Sequence, residues 1–283
     1  MKYKEIYNTG RFVKFNRSKL ISILCVRHLM RRIRMKSDNL TFSKVKDGKL
    51  EQEQCRNFRL QSFLKYKPLP TKMCEVIVLF NGYSENLGNG KMDANCTCTL
   101  IIGPKLIIVD TMTAWDREML IEALTQYNIE PKDIDYVVCT HSHSDHIGNN
   151  NLFTKAQHIV GLTVQSRTIF YENLISDKGY KLCSDVNVIA TPGHTKEDVT
   201  VLVNTTMYGE AKLIAITGDL FEKEEDILDP HIWKSLGTPE LLKTQSVMRS
   251  RIIDLADFII PGHGSMFCVT DSMRKAVKCQ VIQ

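Results

Sequence analysis

Residues 140–146 have the sequence Thr-His-Ser-His-Ser-Asp-His, which contains three of the eight histidines of the chain. The segment follows a short apolar run that predicts a buried strand. Alternate residues of an extended chain face the same side, so His141 and His143 can reach one metal ion. Asp145 and His146 come where the chain turns, and they can reach a second ion. Because burying such groups unpaired is costly, the cluster indicates a functional site and not a piece of core.

Three later segments also place a ligand-type residue directly after a glycine and just beyond a short apolar run. They are Thr191-Pro-Gly-His194, Thr217-Gly-Asp219 and Pro261-Gly-His263. Glycine lets the backbone turn tightly and come close to a bound group. The three segments are therefore predicted to meet the histidine cluster at one edge of the fold.

The seven residues divide into two predicted metal sites. The first has three imidazoles and an open fourth position, which is typical of catalytic zinc, and its ligands are His141, His143 and His194. The ligands of the second are Asp145, His146 and His263. Asp219 is predicted to bridge the two ions through its two carboxylate oxygens. Zinc suits this nitrogen-rich set, while iron and manganese stay open.

Two such ions predict hydrolysis as the chemistry. Ions about 3.5–4 Å apart can hold a shared hydroxide and stabilise the charge that develops when it attacks. Asp145 is predicted to orient this hydroxide, and is the candidate catalytic residue. The sequence thus predicts a dinuclear metal hydrolase.

Charge is distributed unevenly along the 283 residues. Residues 1–70 contain 18 lysines and arginines against 5 acidic residues, whereas residues 71–283 contain 19 against 27. The boundary coincides with Pro68-Leu-Pro70, which stops any helix. We therefore predict a basic leader over residues 1–70, disordered or partly helical, and a catalytic domain over residues 71–283. The acidic domain excludes a protein that is uniformly basic and coats nucleic acid.

Cysteine usage and hydropathy bear on the compartment. The nine cysteines contain no C-x-x-C pair, which predicts free thiols in a reducing environment. Cys96 and Cys98 are predicted to pack in the core. No apolar run approaches the ~20 residues of a membrane span, so none is predicted. The cytoplasm and the nucleus are favoured over the mitochondrion, which the basic leader would otherwise suggest.

Apolar runs alternate with helical spacing across the predicted domain. The predicted strands cover residues 74–80, 96–102, 106–109, 134–139, 158–160, 186–190, 199–203, 213–216 and 258–260. Helices are predicted over residues 115–127, over the segment between 160 and 186, and from residue 238 onward; residues 81–95 are predicted to form a loop. This alternation predicts sheets that are covered by helices in one domain.

The motifs H-S-H-S-D-H, T-P-G-H, T-G-D and P-G-H-G, in this order, resemble the motif series of the metallo-β-lactamase superfamily over residues 72–283. The resemblance implies an α+β fold, an αβ/βα four-layer sandwich of two mixed β-sheets with helices outside and the metals at one edge. It also implies that Asp110 supports the site without binding metal. Met112 stands where the superfamily usually has glycine, which predicts a different turn after Asp110.

A narrower group within the superfamily shares the sequences from His143 to Asn149, from Gly218 to Glu222 and from Ala256 to Gly264. Its members are described as dimeric zinc endoribonucleases of the cytosol and nucleus that act at the 3′ ends of histone pre-mRNA. This resemblance implies a zinc endoribonuclease, a homodimer with two Zn²⁺ ions per chain and single-stranded RNA as its substrate.

Two other functions stay open at this stage. One is a thioester or small-ester hydrolase of the glyoxalase II type, which would use the same ions on a carbonyl carbon. The other is a non-catalytic, metal-dependent binding protein, which the seven filled ligand positions disfavour. The acidic domain counts against a polyanionic substrate, whereas the basic leader could attract one.

Overall fold

The computed structural model describes residues 73–176 and 178–283. The predicted leader lies outside these residues. The strands of the described part are β1 (Glu75–Phe80), β2 (Tyr83–Gly88), β3 (Lys91–Asn95), β4 (Cys98–Ile102), β5 (Leu106–Val109), β6 (Tyr136–Cys139), β7 (Gln157–Val160), β8 (Thr163–Ser166), β9 (Ile169–Tyr171), β10 (Tyr180–Cys183), β11 (Val186–Ala190), β12 (Val199–Met207), β13 (Glu210–Gly218), β14 (Phe258–Pro261) and β15 (Phe267–Cys268). Its α-helices are α1 (Arg117–Thr125), α2 (Ser144–Ile147), α3 (His231–Leu236), α4 (Leu242–Leu255) and α5 (Asp271–Cys279).

The strands form two large sheets and one hairpin. The first sheet has the order β1-β4-β5-β6-β7-β8-β9, the second has the order β10-β11-β12-β13-β14-β15, and β2 pairs with β3 alone. In the first sheet β6 runs parallel to β5 and β7, and in the second β13 runs parallel to β14. The remaining neighbours are antiparallel, so both sheets are mixed.

The main core lies between the two sheets. It consists of β-branched and other apolar side chains from the inner face of each sheet, such as Val109, Val138, Val188, Val201 and Ile216. Alternate residues of a strand face opposite sides, so the same strands also present a second apolar face outward. The inward set stabilises the packing of the two sheets by removing apolar surface from water.

The outward faces are covered by helices. On the first sheet, Leu100 and Ile108 pack against Leu120 and Leu124 of α1. On the second sheet, the outward residues pack against α4 and α5; this group includes Ala215, Ile259, Ile252, Ile253 and Val277. The order helix, sheet, sheet, helix confirms the predicted αβ/βα sandwich.

Two predicted segments differ in the structure. The segment predicted to be helical between residues 160 and 186 forms the strands β8, β9 and β10. All three residues of β9 are exposed. Because neither face of this strand is buried, its sequence lacks the alternation of apolar and polar residues that predicts a strand. The predicted loop over residues 81–95 contains the hairpin of β2 and β3, which turns at Asn89 and Gly90 with φ angles of +53° and +71°.

The predictions about thiols and membrane spans hold within the described residues. The seven cysteines of this part are all unpaired, and both Cys96 and Cys98 are fully buried in the core. No helix of the described part is long and apolar enough to cross a membrane.

Candidate metal centre

The predicted ligands lie where strands of both sheets end at the same edge. They come within four residues of the ends of β6, β11, β13 and β14, and are His141, His194, Asp219 and His263. The amide of Val199, at the start of β12, donates a hydrogen bond of 2.9 Å to the carbonyl of Thr140. This bond joins the second sheet to the end of β6, so ligands that are distant in sequence are brought together.

The first predicted set is assembled as expected. The Nδ1 atom of His143 lies 2.8 Å from Nε2 of His141 and 3.1 Å from Nε2 of His194. An oxygen of Asp219, Oδ2, lies 3.5 Å from Nε2 of both His141 and His194. One donor atom from each of these four residues lies within 4.8 Å of the others.

The second predicted set lies beside the first. Oδ2 of Asp145 is 3.7 Å from Nε2 of His146 and 3.8 Å from Nε2 of His263. Asp219 approaches this set as well, since its Oδ1 is 3.3 Å from His146 and its Oδ2 is 3.3 Å from His263. The structure thus brings all seven residues together and places Asp219 between the two sets.

The charges of the site are strongly coupled. Burial raises the pKa of Asp219, but the imidazoles of His146, His263 and His141 outweigh it and hold this pKa well below its ordinary value. Burial lowers the pKa of His263, yet the carboxylate of Asp219 raises it to about 9. For His141, burial and the charge of His146 keep the pKa well below its ordinary value. Asp219 is therefore the electrostatic centre of the group.

The donor set fits a bound cation. Nε2 of His146 and Oδ1 of Asp219 are both buried, and neither makes a hydrogen bond to another described residue. Buried polar atoms in folded proteins are rarely without a partner, because leaving one unsatisfied is costly. These two atoms belong to the residues predicted to bind the second ion and to bridge the pair. A divalent cation would satisfy both, and the imidazole-rich set suits zinc.

Asp110 and Thr140 support two of the histidines from behind. Oδ2 of Asp110 lies 3.0 Å from Nδ1 of His146, and its Oδ1 accepts a 2.7 Å hydrogen bond from the amide of Thr140. The Thr140 hydroxyl donates to Asp110 and lies 3.2 Å from Nδ1 of His141. Met112 adopts a φ of +60°, so it occupies the backbone conformation that glycine favours and needs no different turn.

A substitution at Gly218 tests the support that Thr140 gives to the histidines. Gly218 has a φ of +51°, and a Cβ atom there would overlap the hydroxyl of Thr140. We expect Gly218→Ala to lower the free energy of unfolding by about 3 kcal/mol, because alanine is strained in the left-handed backbone conformation and its Cβ atom overlaps the Thr140 hydroxyl. Urea denaturation measures this change.

The matched control for Gly218 is Gly209, which has a φ of +85° and open space where a Cβ would lie. Gly209→Ala should cost about 1 kcal/mol, because only the backbone strain remains. Equal losses in the two variants would contradict the role assigned to Thr140.

Two residues of the site had no role predicted from the sequence. Thr140 appeared only as the start of the histidine motif, and Glu222 only as the end of a shared motif. Glu222 is 2% exposed, and its carboxylate lies 4.0 Å from Nε2 of His263. Its position three residues after Asp219 was the available signal, since a turn there returns the chain to the same edge.

One side of the centre is open to solvent. His143 is exposed and the side chain of Asp145 is 20% exposed, whereas the other five predicted ligands are buried. The hairpin of β2 and β3 borders the centre, since the carbonyls of Tyr83 and Asn95 lie 3.2 and 3.1 Å from Nδ1 of His263. A substrate can therefore approach from the side of His143 and Asp145.

The fold and the site agree with a known class of protein. The family model described as the metallo-beta-lactamase superfamily matches residues 93–263. The chain belongs to this superfamily and is a metallo-hydrolase. Among named relatives, it is similar to metallo-beta-lactamase domain-containing protein 1 of Xenopus laevis, with 36% identity over 209 residues, which are 73% of this chain and 86% of that protein.

Two further similarities extend the comparison. A probable metallo-hydrolase of Methanocaldococcus jannaschii is 32% identical over 157 residues, covering 56% of this chain and 70% of that protein. The crystal structure of a probable metal-dependent hydrolase from Staphylococcus aureus superimposes with a TM-score of 0.52 at 14% identity, covering 72% of this chain and 95% of that one. The latter likeness concerns the fold alone.

Proposed function

We propose that the protein is a dinuclear zinc endoribonuclease that hydrolyses phosphodiester bonds of single-stranded RNA. The observation that carries the proposal is Asp219, whose two oxygens each lie 3.3 Å from an imidazole of the second set while Oδ2 also faces the first set. Two ions held in this way would lower the pKa of a water molecule and neutralise the charge that develops on a phosphoryl group. The resemblance to RNA-cleaving members of the superfamily supports RNA as the substrate.

The chain's own residues supply orientation and a proton acceptor. Asp145 lies at the open side of the centre, next to His146 and His263, so its carboxylate can orient the attacking water and accept its proton. His143 is exposed beside it and borders the entry. The buried residues behind them hold the donor atoms in place, so the geometry is prepared before the substrate arrives.

RNA cleavage tests the proposal directly. The full chain is loaded with Zn²⁺ and incubated with a single-stranded RNA and with the same RNA carrying one 2′-deoxynucleotide at the cleaved position. Attack by water leaves a 3′-hydroxyl and a 5′-phosphate and does not need the 2′-hydroxyl, so both substrates should be cut. A 2′,3′-cyclic phosphate product, or no cleavage at all, would contradict the proposal.

Zinc should also stabilise the fold. A ligand that binds only the native state adds about 4 kcal/mol to the free energy of unfolding at a free concentration about 1,000-fold above its Kd. We expect this increase when Zn²⁺ is added to chelator-treated protein, measured by urea denaturation, with two ions per chain by mass spectrometry. Mg²⁺, which prefers oxygen ligands, is the control, and an equal effect of both ions would speak against the imidazole site.

The positive charge of the predicted leader should strengthen RNA binding. Residues 1–70 carry 18 basic and 5 acidic residues, whereas the rest of the chain has an excess of acidic ones. Deleting residues 1–70 should weaken RNA binding and reduce its dependence on salt concentration, because fewer counterions are released. Filter binding at several salt concentrations measures both, and an unchanged salt slope would remove the leader from the proposal.

A thioester or small-ester hydrolase is the second candidate. The excess of acidic residues over positions 71–283, 27 against 19 basic ones, favours a less charged substrate than RNA. Acyl-glutathione thioesters offered in parallel with RNA distinguish the two candidates. Thioester turnover that His143→Ala abolishes, without RNA cleavage, would replace the first proposal with the second.

We also propose that the protein is a homodimer of the cytoplasm and nucleus. The unpaired cysteines of the described part fit a reducing compartment. Ile169 and Phe170, 59% and 62% exposed on the edge strand β9, offer an apolar surface to a second copy. Light scattering of the full chain measures its oligomeric state, and a monomer would contradict the proposed homodimer. Imaging of a tagged chain shows its compartment, and a location other than the cytoplasm and nucleus would contradict the proposed localisation.

A further inference from the structure

Each imidazole has two ring nitrogens, of which one can bind a metal ion. In three of the buried histidines of the centre, the other nitrogen lies close to a hydrogen-bonding partner. A metal-binding imidazole holds its orientation best when this other nitrogen donates a hydrogen bond. The contacts are His141 Nδ1 with Thr140 Oγ1 at 3.2 Å, His146 Nδ1 with Asp110 Oδ2 at 3.0 Å, and His263 Nδ1 with the carbonyl of Asn95 at 3.1 Å.

The fourth buried histidine, His194, lacks this support. Its Nε2 faces His143 and Asp219, so Nδ1 is the atom on the far side. His194 is 5% exposed, and its Nδ1 is buried without a hydrogen-bond partner among the described residues. Oε1 of Glu222 lies 3.8 Å from this Nδ1 atom. This distance is too long for a hydrogen bond, so the contact requires one of the two side chains to rotate toward the other.

The backbone of Glu222 is held in place from both directions. Its amide donates a 2.8 Å hydrogen bond to Asp226, and its carbonyl accepts one of 2.8 Å from the amide of His263. The side chain therefore starts from a fixed point between His194 and His263. Its carboxylate is 2% exposed and lies 3.8 Å from Nδ1 of His194 and 4.0 Å from Nε2 of His263. The unsatisfied Nδ1 of His194 therefore faces the buried carboxylate of Glu222.

We propose that Glu222 is the positioning residue of His194, with a carboxyl oxygen that accepts a hydrogen bond from Nδ1–H and keeps Nε2 directed at the ion that His194 would share with His141 and His143. The inference rests on the metal centre of the proposed function and not on its substrate. Both protonation states of a carboxyl group offer an acceptor oxygen, so the contact does not depend on the charge of Glu222.

Three substitutions at Glu222 test separately its acceptor oxygen, its negative charge and the length of its side chain. Glu222→Gln keeps an acceptor oxygen at the same distance, Glu222→Asp keeps the charge but withdraws the oxygen by one methylene, and Glu222→Ala removes both. The matched control is Glu225→Gln, on an exposed residue of the same connection. Zn²⁺ affinity is measured on the full chain by competition with a chromophoric chelator.

The expected result is selective for one of the two ions. Glu222→Ala and Glu222→Asp should weaken the binding of one ion about 10–100-fold and leave the other unchanged, whereas Glu222→Gln should stay close to the wild type. Wild-type affinity for both ions in the aspartate variant would overturn the inference. A loss in the glutamine variant as large as in the aspartate variant would also overturn it, since charge or direct binding would then be the role.

A spectroscopic measurement distinguishes positioning from a general loss of structure. In the Co²⁺-substituted protein, ring N–H protons of bound histidines give shifted, exchangeable NMR signals. One such signal, that of His194, should exchange faster in the aspartate variant and remain in the glutamine variant. Simultaneous loss of all these signals would indicate a structural role and overturn the inference. A wild-type protein that binds no ion would overturn the metal centre itself, whereas intact metal binding without RNA cleavage would affect only the proposed substrate.

Discussion

Replacing Asp219 by asparagine should reduce the bound zinc to one ion or none and lower the rate of hydrolysis about 1,000-fold, since a catalytic metal contributes several kcal/mol to the transition state. Asparagine has nearly the same shape, so the change removes charge and one acceptor oxygen. The remaining amide nitrogen is a donor, and it would face the Nε2 atoms that lie 3.3–3.5 Å from the native carboxylate.

The effect should be specific to this carboxylate. Asp219 is 4% exposed and contacts both predicted sets of ligands, whereas Glu225 lies on the surface nearby. Glu225→Gln should retain the zinc content and activity of the wild type. Metal analysis and single-turnover rates measure both variants. An asparagine variant that keeps two ions per chain would show that Asp219 does not bridge them.

Removing the carboxylate of Asp226 should cause a large loss of stability. Arg249 and Asp226 are both fully buried, and the guanidinium donates to the two carboxylate oxygens at 2.6 and 2.9 Å. Asp226→Ala leaves the charge of Arg249 buried without its partner, which costs about 3–5 kcal/mol. Arg249 also donates to the carbonyl of Leu220 at 2.8 Å, so the segment after Asp219 depends on the same pair.

The double variant Asp226→Leu with Arg249→Met is the control for this prediction. Replacing both members of a buried ion pair by apolar residues is often neutral, because neither charge is then desolvated. Its stability in urea denaturation should exceed that of Asp226→Ala by several kcal/mol. If the double variant were as unstable as Asp226→Ala, the packing of Arg249 on the rings of Phe221 and Trp233 would matter more than the unpaired charge.

The predicted strands were found because most are buried on at least one face. The runs at residues 134–139 and 213–216 contain apolar residues in nearly every position, and they form the central strands β6 and β13. Central strands of a sheet covered on both sides have this pattern. The segment between residues 160 and 186 was predicted wrongly because two of its three strands, β9 and β10, are edge strands, and the full exposure of β9 removes the alternation.

The hairpin of β2 and β3 was missed although a signal for it exists. The dipeptide Asn89-Gly90 is typical of two-residue hairpin turns, since both residues tolerate positive φ. The many polar residues around it favoured a loop in the sequence analysis. The strands pair only with each other and expose most of their side chains, so little apolar pattern was required of them.

The sequence by itself determined which residues could form the centre. The seven candidate donor residues, their position after strands and the glycines beside three of them are local features, and the strand ends of a layered sheet fold meet at one edge. Only the tertiary structure decided that Asp219 lies between the two sets, that Glu222 faces His194 and that Arg249 anchors the segment between them. These contacts join residues that are far apart in the chain, and their geometry depends on how the two sheets and α4 pack.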